Sequence, residues 1–230
     1  MFELISITTS EFHWWKYIYS PSYNKLKKEH EYLLSVVLSN VVEAEKELKR
    51  KINEGGMPED PTLLETFLQT DGLTRKDVVT FMLDMFFAGI DTTSHTLGFT
   101  LYLLARNKEK QKKLQEELDL VLGDGKEILN EKQLGSLTYL KACVKESLRL
   151  FPLLPAHVRI LQEDAVLGGY KIPKGHVVGV PTLTSGRDEK NFKQSNEFIP
   201  ERWMRDRPLG QIHPFASIPF SHGTRMCIGR

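Results

Sequence analysis

Pro219-Phe220-Ser221-His222-Gly223-Thr224-Arg225-Met226-Cys227-Ile228-Gly229-Arg230 is the stretch on which the reading of this chain turns. One cysteine stands between two glycines, an arginine precedes it by two residues and a phenylalanine by seven. Glycine permits positive φ and lets the backbone approach a flat partner. A cysteine thiolate is a soft ligand for iron. An arginine beside it can neutralise a carboxylate. A glycine-rich turn with one unpaired cysteine is the plainer reading, and the rest of the chain has to separate the two.

Composition narrows the possibilities. In 230 residues there are 31 Lys plus Arg and 30 Asp plus Glu, so the chain is close to neutral and lacks the surplus of a broad nucleic-acid surface. Its hydrophobic content of 40% is enough for a core. Two cysteines, Cys143 and Cys227, do not make a disulfide framework, and no Cys/His cluster has zinc spacing. The N-terminus has neither the basic region nor the apolar run of a signal peptide. Asp84, Asp91 and His95 interrupt the most apolar stretch, residues 78–105, which reads as a buried helix rather than a membrane span.

Taken in order, residues 1 to about 52 read as helical, with Trp14, Trp15, Tyr17 and Ile18 ahead of Pro21 and a helix from about Tyr23 to Ile52. The mixed charges of residues 43–51 suit a solvated face. Residues 55–61 read as a loop, and Leu63 to Gln69 as a short helix. Thr74, with Asp77 three residues on, caps a long helix to about Arg106. That helix is apolar on several sides, as expected of one crossing the middle of a domain. Asn107 is expected to cap a helix over Lys108 to Leu122, ending at Gly123 in a Gly123-Asp124-Gly125 turn. A further helix spans Thr138 to Leu150, stopped by Pro152 and Pro155. Then the period changes. Val158 to Leu161, Ala165 to Leu167, Tyr170 to Ile172 and Val177 to Val180 read as strands, with Gly168-Gly169 as a two-residue hairpin turn. An irregular meander leads on to Phe220. The fold class is mainly α with a small β-sheet.

Two constellations lie inside this frame. Ala88-Gly89-Ile90-Asp91-Thr92-Thr93-Ser94 puts polar groups into an apolar helix, which is costly without partners. A threonine hydroxyl there can bond the carbonyl one turn back, so a satisfied polar kink accounts for it as well as a proton relay does. Glu146 and Arg149, three residues apart, share a helix face; such pairs are usually surface decoration. Arg202, in Phe198-Ile199-Pro200-Glu201-Arg202-Trp203, is a third charge in an aromatic-rich part of the meander.

With all these motifs in sequence order, Phe-x-x-Gly-x-Arg-x-Cys-x-Gly, filled by Phe220, Gly223, Arg225, Cys227 and Gly229, resembles the haem-ligand loop of the cytochrome P-450 family. Ala88-Gly89-x-Asp91-Thr92-Thr93 resembles the segment over the oxygen side of that family's haem, and Glu146-x-x-Arg149 with Arg202 resembles its buried structural triad. The resemblance runs from Thr74 to Arg230 and implies a partial fold of that family, one haem-binding domain of which residues 1–73 are a helical leading part. The match is to a C-terminal half. Membrane association is expected through an N-terminal half outside it, and weak haem retention with little or no turnover from these residues alone.

The resemblance further implies haem b (iron protoporphyrin IX) with Cys227 as axial ligand of the iron. Asp91 and Thr92 would serve proton delivery, and Arg159 and Arg225 the propionates. Phe220 would pack near the thiolate, Gly223 and Gly229 would permit the tight loop, and Ala88 and Gly89 would allow close approach to the haem. Pro155, Ala156, His157 and Val158 resemble the segment beside the substrate, although a solvent-bonded His157 is an equal reading. The implied reaction is insertion of one atom of O2 into an apolar substrate: a sterol or steroid, another lipid or a xenobiotic. The rivals are a non-catalytic helical fragment with no stable haem site and a haem-thiolate isomerase or peroxide user.

Lys141, Lys145 and Arg230 resemble the basic residues with which the mitochondrial group docks an acidic ferredoxin, though a lysine-rich helix face is also common. The corresponding location is the matrix side of the mitochondrial inner membrane. A diflavin reductase and the endoplasmic reticulum membrane are the alternatives.

Overall fold

A computed structural model describes residue 17 and residues 19–56, 60–123 and 130–230. The expectations for Trp14, Trp15, Ile18, the middle of the 55–61 loop and the Asp124-Gly125 turn lie outside the described residues. The chain is mainly helical, with short antiparallel strands. Its contacts gather into two compact units, residues 1–90 and 91–230. No helix among the described residues is long and apolar enough to cross a membrane.

In the first unit, α1 (Pro21–Gly55) starts two residues before the expected Tyr23 and runs three past Ile52. Ser20 accepts from the Tyr23 N–H at 3.3 Å, and Pro21 takes the first helical position, where its missing N–H costs nothing. Helix α2 (Leu63–Gln69) opens with a capping box between Thr62 and Glu65. The Lys51 ammonium, then the Thr62 N–H and hydroxyl, hold the Glu65 carboxyl down at about 2. Helix α3 (Arg75–Arg106) starts where Thr74 and Asp77 exchange bonds: the Asp77 N–H donates to Thr74 Oγ1 at 3.3 Å, and the Thr74 N–H to Asp77 Oδ2 at 2.8 Å. Val37 and Val41 of α1 pack with Val78, Val79 and Leu83 of α3. The charge run of α1 is not solvated throughout. Leu48 is buried within it, and Glu45 reaches Arg75 Nε at 2.8 Å.

In the second unit, the last turns of α3 meet α4 (Lys108–Leu122) and α6 (Thr138–Leu150) in a core of Leu103, Leu104, Leu114, Tyr139, Cys143, Leu150 and Phe198. Asn107 does not cap α4 with its side chain. Its amide donates backwards to the Leu103 carbonyl at 2.8 Å, because α3 ends one residue earlier and leaves that acceptor open. The first turn of α6 is capped from a distance: the Glu117 carboxylate accepts from the N–H groups of Tyr139 at 2.7 Å and Leu140 at 2.9 Å. A short helix not expected from periodicity, α5 (Glu131–Ser136), precedes it, and its signal is the Asn130/Gln133 capping box.

The strands are where the sequence places them, except that the first lies one residue earlier than Val158 to Leu161, and they form two separate ladders. β1 (His157–Ile160) pairs antiparallel with β4 (Val177–Val180), and β2 (Ala165–Leu167) with β3 (Tyr170–Ile172). Gly168 and Gly169 both have positive φ, as a two-residue hairpin of this hand requires. A short helix α7 (Thr182–Gly186) and a 3₁₀ turn (Pro200–Trp203) punctuate the meander.

The middle of α3 departs from expectation. Phe86, Ile90, Leu97 and Leu101 are more than half exposed, so this is not a buried helix at its centre. Its ends carry the packing, one in each unit, and the described residues put no layer over the middle.

Candidate active site

The best-enclosed part of the second unit is built on Glu146. This carboxylate is fully buried, and five donors converge on it. Arg149 gives Nε to Oε2 at 2.8 Å and Nη2 to Oε1 at 2.7 Å. Arg202 gives Nε to Oε1 at 2.9 Å, the Trp203 indole N–H reaches Oε2 at 2.8 Å, and the Ile199 N–H reaches Oε1 at 3.0 Å. The remaining guanidinium hydrogens go to meander carbonyls: Arg149 to Gly186, Ser195 and Glu197, and Arg202 to Lys193 and Gln194. The Phe192 ring lies 5.0 Å from Arg149 Cζ and 5.9 Å from Arg202 Cζ. A carboxylate and two guanidiniums out of water are tolerable because nearly every donor finds an acceptor. Gly186 makes room for this: a Cβ there would lie 2.7 Å from the Arg149 carbonyl oxygen. Sequence reading finds Glu146, Arg149 and Arg202 but not Trp203, Phe192 or Gly186, whose roles depend on contacts across the meander.

A second support ties α3 to α6. Phe99 of α3 stacks on Phe151 at 4.8 Å, and Arg187 lies over Phe151 at 5.3 Å while donating to the Leu150 carbonyl at 2.7 Å. A third joins α4, α6 and the 3₁₀ turn. Glu201 takes bonds from Lys110 at 3.0 Å, Lys113 at 2.7 Å and the Tyr139 hydroxyl at 3.2 Å. Burial pushes the Glu201 carboxyl up, but the lysine bonds outweigh it and hold the group at about 2.

The cysteine loop is the opposite kind of structure. Residues 222–230 are all exposed, and Cys227 is a free thiol. Its backbone N–H donates to the Phe220 carbonyl at 2.9 Å, closing the loop, and the Met226 N–H donates to Gly223 at 3.0 Å. Gly223 has φ +84°, which a side chain would resist; Gly229 needs no such φ and lies 3.9 Å, from its would-be Cβ, from Cys227 Sγ. Arg159 on β1 reaches this loop, its Nη2 donating to Ser221 Oγ at 3.1 Å and toward the Arg225 carbonyl at 3.4 Å.

Other sequence-derived candidates fall as follows. His157 is buried and donates Nε2–H to the Ile218 carbonyl at 2.8 Å, so it is bonded to main chain rather than to solvent. Pro155 and Val158 are exposed, and Ala156 is half-buried. Along α3, Asp91 is half-buried and Thr92 exposed; the Asp91 carbonyl accepts from His95 at 2.7 Å and the Thr92 carbonyl from the Thr96 hydroxyl at 2.8 Å. The helix stays α-helical through this stretch. Ala88 and Gly89 belong to the first unit and are exposed. Lys141 is exposed and bonds the Gly135 carbonyl at 2.8 Å, while Lys145 and Arg230 are exposed.

The donor set suits one kind of metal group. Among the described residues no three His, Cys, Asp or Glu side chains gather into a cage. A single accessible sulfur on a glycine loop fits a metal that brings its other ligands in a flat macrocycle. Open space around Gly223 and the Arg159 guanidinium, which reaches the Arg225 carbonyl, match the flat face and acidic edge of haem b.

Comparison with known proteins gives the same direction. A cytochrome P-450 family model matches residues 4–230. Cytochrome P-450 302a1, mitochondrial, of Drosophila melanogaster is 37% identical over 94% of this chain and 42% of its own length. Probable cytochrome P-450 12a5, mitochondrial, of the same fly is 36% identical over 94% of this chain and 42% of its own. Cytochrome P-450 27C1 of Danio rerio is 40% identical over 73% of this chain and 31% of its own. The chain thus spans about two fifths of the length of the fly relatives it matches, and on the family match and these identities it belongs to the cytochrome P-450 family.

Proposed function

We propose that this chain carries the iron-ligand and scaffold portion of a haem-thiolate monooxygenase. The observation that carries the reading is Cys227. It is an exposed free thiol on a loop closed by its own N–H, in a family whose proteins hold haem through a cysteine thiolate. The overall change takes O2, two electrons and two protons; one oxygen atom enters a C–H bond of the substrate and the other leaves as water. Bound haem would supply the oxygen chemistry, strengthened by electron density from the sulfur.

The residues of the chain hold and orient. Cys227 Sγ would bind the iron. Arg159 and Arg225 would neutralise the propionates, and Phe220 and Gly223 would set the loop against the ring. Asp91 and Thr92 would pass protons from solvent toward the distal side. Glu146, Arg149 and Arg202 would keep the meander in place beneath the loop. Pro155, Ala156 and Val158 would border an apolar substrate, a sterol, steroid, other lipid or xenobiotic. The mitochondrial names of the fly relatives support a mitochondrial setting, within which the proposed place is the matrix side of the inner membrane, and exposed Lys145 and Arg230, with Lys141, suit an acidic ferredoxin as electron donor.

The test is turnover of a haem-loaded full-length protein carrying these residues, with ferredoxin, its reductase, heavy-isotope O2 and a panel of apolar substrates. The reading expects product carrying one labelled oxygen, and a marked loss in Asp91→Asn and Thr92→Ala. Product labelled from water instead of O2 would contradict it.

A further inference from the structure

We propose that His157 is a positioning residue for the cysteine loop, acting on Cys227 through the turn at Ile218–Ser221. His157 and Arg159 are two apart on β1 and so face the same side of the strand. Both reach the segment just ahead of Cys227. The His157 Nε2–H donates to the Ile218 carbonyl at 2.8 Å, and Arg159 Nη2 donates to Ser221 Oγ at 3.1 Å. The Ile218 carbonyl also accepts from the Ser221 N–H at 2.9 Å, which closes a tight turn. In that turn Ser221 has φ +64°, a left-handed conformation that a non-glycine residue holds only when its surroundings enforce it. The next link is Phe220, inside the turn, whose carbonyl accepts the Cys227 N–H at 2.9 Å. Fixing Ile218 therefore fixes the direction of the Phe220 carbonyl, and that carbonyl fixes the backbone of Cys227.

The two donors differ in what they can keep doing. Arg159 is exposed, and on the reading above its guanidinium is wanted by a propionate. His157 is buried at 9% exposure and its acceptor is main chain, so its bond is independent of any ligand. Ser185 Oγ adds a neighbouring anchor, donating to the Ala216 carbonyl at 3.0 Å. Pairing with β4, His157 opposite Val180 and Arg159 opposite Val178, holds the strand that carries both donors.

The inference rests on the proposed role of Cys227 only for its catalytic consequence; the positioning itself is testable without haem. The experiment is hydrogen–deuterium exchange of the haem-free chain, read on peptides covering residues 218–227, for the native protein, His157→Phe and His157→Gln. Phenylalanine keeps a buried ring but has no donor, and glutamine keeps an N–H. His157→Phe should speed exchange at the Cys227 amide about fivefold, the loss expected of one neutral hydrogen bond, with His157→Gln close to native. After haem loading, His157→Phe should shift the reduced, CO-treated spectrum from the thiolate form toward the neutral-thiol form, and His157→Gln should restore it. Native exchange in His157→Phe, or equal loosening in both variants, would overturn the proposal. Absence of a thiolate spectrum in the native protein would overturn the reading of Cys227 and leave the exchange result to stand or fall separately.

Discussion

The Glu146 cluster and the Cys227 loop belong to the same unit and are built on opposite terms. Around Glu146, three charges are 0–2% exposed and a carboxylate meets five donors. Around Cys227, residues 222–230 are exposed and the loop is held by a few backbone bonds and by His157 and Arg159 from β1. A scaffold of buried charge must be closed to exist at all, since an orphaned ion out of water costs several kcal/mol. A loop that is proposed to hold a prosthetic group has to stay open to it. The contrast places folding energy at α6 and the meander, and the proposed haem ligand on a surface that contributes little to folding.

The largest effect should come from breaking the closed side. Glu146→Ala leaves two guanidiniums buried without their carboxylate, and should cost about 3–5 kcal/mol in denaturant unfolding. A loss below about 1 kcal/mol would show the cluster to be wetter than its geometry implies.

The two cysteines sharpen the same comparison chemically. Burial, then the charges of Glu201, Glu117 and Glu146, push the Cys143 thiol up to about 12, and its side chain is fully buried. Iodoacetamide at neutral pH should therefore modify Cys227 alone, as read by peptide mass spectrometry, because the thiolate is the reactive form. Modification of Cys143 in the folded protein would contradict the packing of α4 against α6.

Glu201 gives a smaller, pH-dependent effect. Its folded value of about 2 lies below the ordinary 4.5, so the group stabilises the fold fully above about pH 4.5 and loses that contribution as pH falls toward 2. Glu201→Gln should cost about 1–2 kcal/mol at neutral pH and should flatten the acid limb of the stability profile. An acid limb unchanged in Glu201→Gln would assign the acid sensitivity to other carboxylates.

Much of this was legible where structure is local. Gly168-Gly169 marks the β2–β3 hairpin, and Thr138 to Leu150 with Pro152 marks α6, because turn chemistry and helical period act over a few residues. The triad was reachable only through the family resemblance carried by Glu146, Arg149 and the Pro-Glu-Arg stretch; taken alone, Glu146 and Arg149 read as surface decoration. What escaped was long-range. Trp203 and Ile199 reach Glu146 across 57 and 53 residues, and Glu117 caps α6 from 22 residues away. No periodicity encodes such meetings. His157 shows the same limit, since its bond to Ile218 spans 61 residues and a strand's alternation says only which side it faces. The exposed middle of α3 was misjudged for another reason: apolar residues on several sides report what a helix can bury, and the described residues supply cover only at its ends.

The most direct measurement of the central claim is the absorbance spectrum of haem-loaded, reduced, CO-treated protein, native against Cys227→Ala. The account predicts a thiolate-type Soret band in the native protein and its loss in the variant. Unfolding stability without haem should stay within about 0.5 kcal/mol, as expected of an exposed loop side chain. A thiolate-type band that survives in Cys227→Ala, or a native protein that binds no haem, would contradict it.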